Sequence, residues 1–65
     1  MLRLTQERER RGWSRSELAR RARIQAPALG QVELGKMAAW PGWRRRLSRV
    51  LKVPADELFK EVTSE

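Results

Sequence analysis

The carboxylates of this 65-residue chain come closest to acid–base chemistry, because the sequence has no histidine and no cysteine. Asp56 and Glu57 are adjacent, so on a helix they would point about 100° apart and could not act together on one substrate. The lack of histidine and cysteine also excludes the usual zinc sites, thiolate nucleophiles and nucleophilic triads. We therefore expect no enzyme, no metal site and no cofactor.

Arginine and lysine are the side chains whose number and placement indicate a binding function. The net charge is +7; residues 1–52 hold 14 cationic and 4 acidic side chains, and residues 53–65 hold 1 and 4. Such a basic body attracts polyanions, nucleic acid first, although a solvated arginine-rich surface would have the same composition. No apolar run approaches the roughly 20 residues of a membrane span, and no stretch suits a membrane surface. We expect a cytoplasmic protein.

Glycine and proline residues divide the chain into five short pieces, with no repeat and no linker. Helical spacing predicts helices at residues 2–11, 15–22, 26–34, about 41–52 and 55–62. Ser14 and Glu17 are predicted to form a capping box, in which each side chain bonds the backbone amide of the other. No segment alternates between apolar and polar residues. The sequence therefore predicts an all-α fold of five short helices, in one domain over residues 1–65.

Three tryptophans stand at or near the predicted core. Trp13 and Trp43 lie at positions with apolar periodicity, where aromatic side chains usually pack inside. Trp40 lies in the predicted loop before the fourth helix. It either caps the core or is an exposed interaction residue, and the sequence leaves both readings open.

A series of motifs resembles the Cro-type, lambda-repressor-like helix-turn-helix family. The resemblance extends from Leu4 to Phe59 and rests on the stretch 12–19 and on Ile24, Leu29, Val32, Glu33, Gly35 and Lys36. It implies a helix-turn-helix motif at about residues 15–34, whose third helix lies in the major groove of DNA. It also implies a positive φ at Arg23, where the family usually has glycine. Glu7 replaces a residue that is often apolar, so we expect the first helix to pack less deeply.

The resemblance places the positions that read bases on the third helix, at Gln31, Ala26, Pro27 and Ala28. Gln31 can make a bidentate pair with adenine, whereas the other three offer only apolar contact, which suits thymine methyl groups. The alternative for Gln31 is an ordinary solvated helix position.

Further positions match contacts to the DNA backbone, which set register without reading sequence. They are Arg15, Gln25, Lys36, Gly42, Trp43 and Arg45. Gly42 and Trp43 qualify through their amides at the start of a helix, which attract anions. Arg44, Arg45 and Arg46 are consecutive, so only one or two of them can face one partner. For Arg20, Arg21 and Arg23 we expect solvated charge.

The family also implies a buried ion pair between Arg8 and Glu33, which would tie the first helix to the third. Useful affinity for DNA needs two half-sites, so we expect a weak homodimer through the junction of the last two helices, near Pro54, Glu57 and Glu61.

The expected function is that of a small DNA-binding transcriptional regulator, a repressor on a near-palindromic operator in double-stranded DNA. No sensory domain is expected, since the sequence ends at Glu65. Phage Cro proteins, restriction-modification controllers and antitoxins have this form, so a bacterial or phage origin is expected. The alternative is a protein-interaction module on the same fold, such as an antitoxin that binds a toxin.

Overall fold

The computed structural model describes residues 1–62 and folds them into five short helices. They are α1 (Arg3–Arg10), α2 (Arg15–Ala22), α3 (Ala26–Glu33), α4 (Pro41–Leu51) and α5 (Ala55–Leu58). Over these 62 residues there is no strand, and an isolated antiparallel β-bridge joins Leu2 to Glu61. The all-α prediction is confirmed. The bounds of α2 are as predicted, and α1, α3 and α4 are each shorter than predicted by one or two residues.

A core of leucine side chains holds the five helices together. Every helix contributes at least one leucine that is fully buried: Leu4, Leu18, Leu29, Leu47, Leu51 and Leu58. Removing a side chain of this size from water contributes about 1.5–3 kcal/mol. Ala19 is also buried, on the helix that packs against α3, where a small side chain lets the two helices approach. The inner faces of α2 and α3 are thereby fixed, and their outer faces are left to solvent.

The start of α2 has half of the predicted capping box. The Glu17 amide donates to the Ser14 hydroxyl at 3.0 Å, as predicted. The second bond of the box, which the Ser14 amide was predicted to donate to the Glu17 carboxylate, is wrong, because that carboxylate accepts instead from Arg20 and Arg21. These guanidinium groups lie three and four residues further along the helix, where they reach the carboxylate with a full charge.

Glu7 on α1 is buried, so the expectation that this helix packs less deeply is wrong at this position. The residue is 3% exposed. Its carboxylate accepts from Arg11 at 2.8 Å and from Arg3 at 3.4 Å, and Arg10 lies at 3.5 Å. Arg11 also donates to the backbone carbonyl of Leu51 at 2.7 Å, which ties α1 to the end of α4. The three cations thus offset the cost of burying the Glu7 carboxylate, at a position where a leucine would be stabilised by apolar packing.

The predicted last helix, residues 55–62, is wrong in its second half, since α5 ends at Leu58. The backbone after it pairs with the beginning of the chain. The Arg3 amide donates to the carbonyl of Lys60 at 2.9 Å, and the Val62 amide donates to the carbonyl of Met1 at 2.8 Å. These bonds satisfy backbone groups that a longer helix would have satisfied internally.

Two helices end at residues with left-handed backbone conformation that are not glycine. Arg23 ends α2 at φ 58° and Lys52 ends α4 at φ 59°, so the positive φ predicted at Arg23 is confirmed. The Ile24 amide then donates to the carbonyl of Ala19 at 2.9 Å, which closes the turn between α2 and α3. A side chain at such a position costs about 1–2 kcal/mol relative to glycine.

Substitution of Arg23 by glycine tests this backbone strain. Arg23→Gly should leave the free energy of unfolding unchanged or raise it, by up to about 1 kcal/mol, because relief of strain opposes the greater entropy of the unfolded chain. Urea unfolding measures the change. Gly35→Ala is the reciprocal control. Gly35 has φ 77°, so alanine at this position should lower the free energy of unfolding by about 1 kcal/mol. A clear loss of stability in Arg23→Gly would mean that the arginine side chain itself holds the turn.

Glu7 makes stability depend on pH in the acid range. The hydrogen bond from Arg11 is the main cause that holds the pKa of Glu7 below its usual value of 4.5, and burial opposes it. A carboxyl whose pKa is lowered by folding stabilises the protein above its unfolded pKa, and this contribution disappears as the pH falls. The free energy of unfolding should therefore fall from about pH 5 to about pH 3, and fall less in Glu7→Gln. The exposed neighbour offers the control Glu9→Gln, which should keep the wild-type slope. An unchanged slope in Glu7→Gln would contradict this account.

Candidate nucleic-acid interface

Helices α2 and α3 pack against each other through a turn of three residues and leave one face of α3 uncovered. Leu29 and Val32 point into the core. Pro27, Gln31 and Leu34 are exposed and follow one another at spacings of four and three residues, so they lie on one side of the helix. Leu34 immediately follows the last residue of α3 and is 56% exposed. An elongated surface with a polar amide at its centre results.

The four predicted base-reading residues divide into two pairs. Gln31 and Pro27 lie on the outer face, and within residues 1–62 the Gln31 side chain has no hydrogen bond. Ala26 and Ala28 are half-buried and pack against the core, so they are less available than we expected. Sequence reasoning missed Leu34 on this face. Its position three residues after Gln31 is the signal that could have identified it.

Of the phosphate candidates at the ends of α2 and α3, Arg15 lies close to the segment that contains Lys36, and Gln25 stands at the opposite end of α3. Arg15 and Gly35 both line a cleft of about 410 Å³, and Lys36 follows Gly35. Arg15 is not a free cation, because its Nε donates to Glu33 at 3.2 Å, although its side chain remains 47% exposed. Lys36 is exposed and has no ion pair with any of residues 1–62. Gln25, just before α3, is exposed and does not cap the helix through its side chain.

A second group of candidates stands at the beginning of α4. No side chain caps the first turn of this helix, where Gly42 and Trp43 present their amides. Arg45 is exposed and makes no ion pair with the described part of the chain. Of its neighbours, Arg44 lies over the Phe59 ring at 4.5 Å and Arg46 is half-buried. The three consecutive arginines therefore differ in surroundings, and Arg45 is the one directed to solvent.

The ion pair between Arg8 and Glu33 is present and joins α1 to the end of α3. Arg8 donates from Nε and Nη2 to the two carboxylate oxygens at 2.9 and 3.2 Å, and from Nη1 to the carbonyl of Trp13 at 2.8 Å. The Glu33 side chain is 1% exposed. Because Arg15 of α2 donates to the same carboxylate, one buried anion connects the first three helices.

The tryptophans lie at the margin of the core and not fully inside it. Trp13 is half-buried, with the guanidinium of Arg21 at 4.3 Å from its ring centroid. Trp43 is also half-buried, and Trp40 stacks on it with ring centroids 5.3 Å apart. Trp40 is 66% exposed, so it is an exposed residue beside α4 and does not cap the core.

The residues expected at a dimer interface are largely engaged within the chain. Pro54 is exposed, but Glu57 accepts from Arg3 at 3.1 Å and from Lys60 at 2.7 Å. The hydrogen bond from Lys60 is the first cause of the lowered pKa of Glu57. Glu61 lies 3.4 Å from the terminal amino group. A partner at this surface would meet paired charges.

Loss of the Arg8 guanidinium should strongly destabilise the protein. Arg8→Met leaves Glu33 buried with Arg15 as its remaining partner, and we expect the free energy of unfolding to fall by about 3–5 kcal/mol. Arg45→Met removes an exposed cation that has no ion pair within residues 1–62, and should cost about 1 kcal/mol or less. Urea unfolding compares them. Equal losses in the two variants would show that the ion pair contributes no more than a surface charge.

No helix within residues 1–62 is long and apolar enough to cross a bilayer, and no cluster of metal-ligating side chains occurs there. Neither the curated proteins nor the solved structures compared with the chain gave a match. Residues 2–59 match the family described as helix-turn-helix domain. The match spans all five helices, including the packed pair α2 and α3 and the ion pair that holds α3 in place. The chain belongs to the helix-turn-helix domain family.

Proposed function

We propose that the chain is a Cro-type transcriptional regulator, a repressor that binds double-stranded DNA with α3 in the major groove. The observation that carries this proposal is the uncovered face of α3, whose inner face is held by the core and by Glu33. A helix held at one end of a compact body, with a free outer face, has the form that docks in a major groove. The net charge of +7 favours a polyanionic partner.

The cations around α3 support contact with the phosphate backbone. Lys36 and Arg45 are exposed and without a carboxylate partner in residues 1–62, so their charges are available to phosphates. Arg15 would use its remaining guanidinium nitrogens while Nε stays on Glu33. The amides of Gly42 and Trp43 at the uncapped start of α4 would add neutral donors, with Gln25 at the start of α3.

Gln31 is the residue proposed to read a base by hydrogen bonding. It would pair with adenine through two bonds, worth about 1–3 kcal/mol of discrimination. Pro27, Leu34 and the accessible parts of Ala26 and Ala28 can make only apolar contacts, which suit thymine methyl groups. The half-site should therefore be rich in A·T pairs, and further selectivity would come from the shape of the duplex.

The proposed complex is a symmetric dimer on two half-sites about 34–36 Å apart. The proposed contact is the surface near Pro54, Glu57 and Glu61, which is small and polar. Since Glu57 and Glu61 already have partners within the chain, this dimer would be weak in solution and would tighten on DNA.

Trp40 favours one competing function, that of a protein-interaction module on the same scaffold. Its ring is 66% exposed and is held by stacking on Trp43, and exposed aromatic side chains are frequent anchors in protein interfaces. Salt dependence separates the two functions. A DNA-binding protein loses affinity for random duplex steeply as salt rises, whereas a protein-interaction module binds duplex barely at all.

Selection of bound sequences from random DNA, followed by salt titrations, tests the proposal on two variants. Gln31→Ala should relax the selected motif at one position in each half-site and leave the salt slope unchanged. Lys36→Ala should keep the motif, weaken all sequences alike and reduce the salt slope by about one unit. Lys36 is a cleaner choice than Arg15, because loss of Arg15 would also disturb Glu33.

Three results would count against the proposal. No selected motif together with a flat salt response would favour the protein-interaction module. A selected motif with a single half-site would remove the dimer and retain DNA binding. An unaltered motif in Gln31→Ala would mean that Gln31 is a solvated residue.

A further inference from the structure

Four arginines surround a cavity between the end of α2 and the middle of α4. The cavity has a volume of about 340 Å³ and is lined by Arg21, Ala22, Arg23, Arg46, Arg49 and Val50. The lining includes no carboxylate. Three of the four, Arg23, Arg46 and Arg49, have no counter-charge within residues 1–62, and like charges repel one another, so this arrangement costs free energy unless an anion joins it.

Most N–H donors of these four guanidinium groups have no acceptor within residues 1–62. Arg21 donates from Nε to Glu17 at 2.6 Å. Arg23, Arg46 and Arg49 have no ion pair with any of residues 1–62. The Nε of Arg46 is excluded from solvent and makes no hydrogen bond within those residues. A buried donor without an acceptor costs free energy, and an oxygen atom of a bound anion could satisfy it.

Arg23 gives a second indication that the cavity is a binding site. It occupies the left-handed position at the end of α2, where glycine would avoid the strain. Strained residues that are not glycine are concentrated at functional sites. Here the strained residue is one of the four that line the cavity.

The cavity lies away from the proposed contacts of α2 with DNA. Arg21 is six residues after Arg15, which corresponds to about 9 Å along the helix axis. None of the lining residues belongs to α3. The site therefore does not depend on how α3 reads sequence, and its ligand is a separate question from the operator.

We propose that Arg23, Arg46 and Arg49, with Arg21 at the rim, bind one phosphate group. Guanidinium groups present paired donors that match phosphate oxygens, and several of them around one anion form a strong site. The volume suits a phosphate or a small molecule that carries one. Two sources have this chemistry: a phosphodiester of the duplex, or a free phosphorylated compound.

Titration with inorganic phosphate at constant ionic strength tests the site. NMR signals of the arginine Nε–H groups should shift saturably for Arg23, Arg46 and Arg49. The melting temperature should rise with phosphate, because a ligand of the folded state stabilises it. Arg49→Gln and Arg23→Gln should each raise the dissociation constant for phosphate at least tenfold. Both side chains are exposed, so these variants should fold.

Arg20→Gln is the matched control. It removes the same charge from α2, one residue from Arg21, but Arg20 does not line the cavity. It should leave phosphate affinity within about twofold, as expected for an exposed charge. Shifts that never saturate, or equal losses in Arg20→Gln and Arg49→Gln, would overturn the proposal, since both mean general attraction to a basic surface.

Duplex DNA then identifies the source of the phosphate. If random duplex displaces inorganic phosphate, and Arg49→Gln reduces the salt slope of duplex binding by about one unit, the site takes a backbone phosphodiester. If duplex and phosphate bind together without mutual effect, the site takes a free phosphorylated compound. Each result supports the site and assigns its ligand, and neither depends on a selected operator.

Discussion

The orientation of α3, the proposed recognition helix, depends on the ion pairs of one buried carboxylate, that of Glu33. It accepts from Arg8 of α1 through both oxygens and from Arg15 of α2, and it lies in the last turn of α3. A charge with a 1% exposed side chain is tolerated only because these cations accompany it. With apolar packing alone, α3 could shift along the helices that it contacts. The bidentate ion pair with Arg8 also fixes the direction of the Glu33 side chain.

The distribution of ion pairs in the rest of the structure reflects the excess of positive charge. The carboxylates lie where they neutralise several cations each: Glu7 meets Arg3, Arg10 and Arg11, and Glu17 meets Arg20 and Arg21. The cations that remain without such partners among residues 1–62 stand near α3, at the start of α4 and around the α2–α4 cavity, with Lys52 at the end of α4. Each carboxylate determines which arginines are paired within the chain and which remain available to a partner. The same few acidic residues therefore affect both the stability of the fold and the proposed binding.

Local sequence predicted what local physics determines. The cap at Ser14 and the bounds of α2 follow from neighbouring residues, and the positive φ at Arg23 and the Arg8–Glu33 pair came from the family resemblance. The end of α5 was missed because backbone pairing with Met1 and Arg3 joins opposite ends of the sequence.

Two features of the candidate sites also needed the tertiary structure. The three cations that pair with Glu7 stand three and four residues from it, so helical spacing could have predicted these ion pairs. The burial of Glu7 beneath the rest of the fold needed the tertiary structure. The arginine cavity joins residues 21–23 to residues 46–50, and no spacing in the sequence relates them. The hydrogen-bonded partner of Arg15 was missed for the same reason.

Pairing of the two ends has a consequence for the order of folding. The bridge between Leu2 and Glu61 closes a loop of about sixty residues. Closing it costs about 1.6 kcal/mol more chain entropy than closing a loop of ten residues. Contacts between α2, α3 and α4 join nearer parts of the chain, so we expect them to form first and the ends to close over a motif that is already assembled. We therefore expect that fraying of the termini leaves the packed pair α2 and α3 intact.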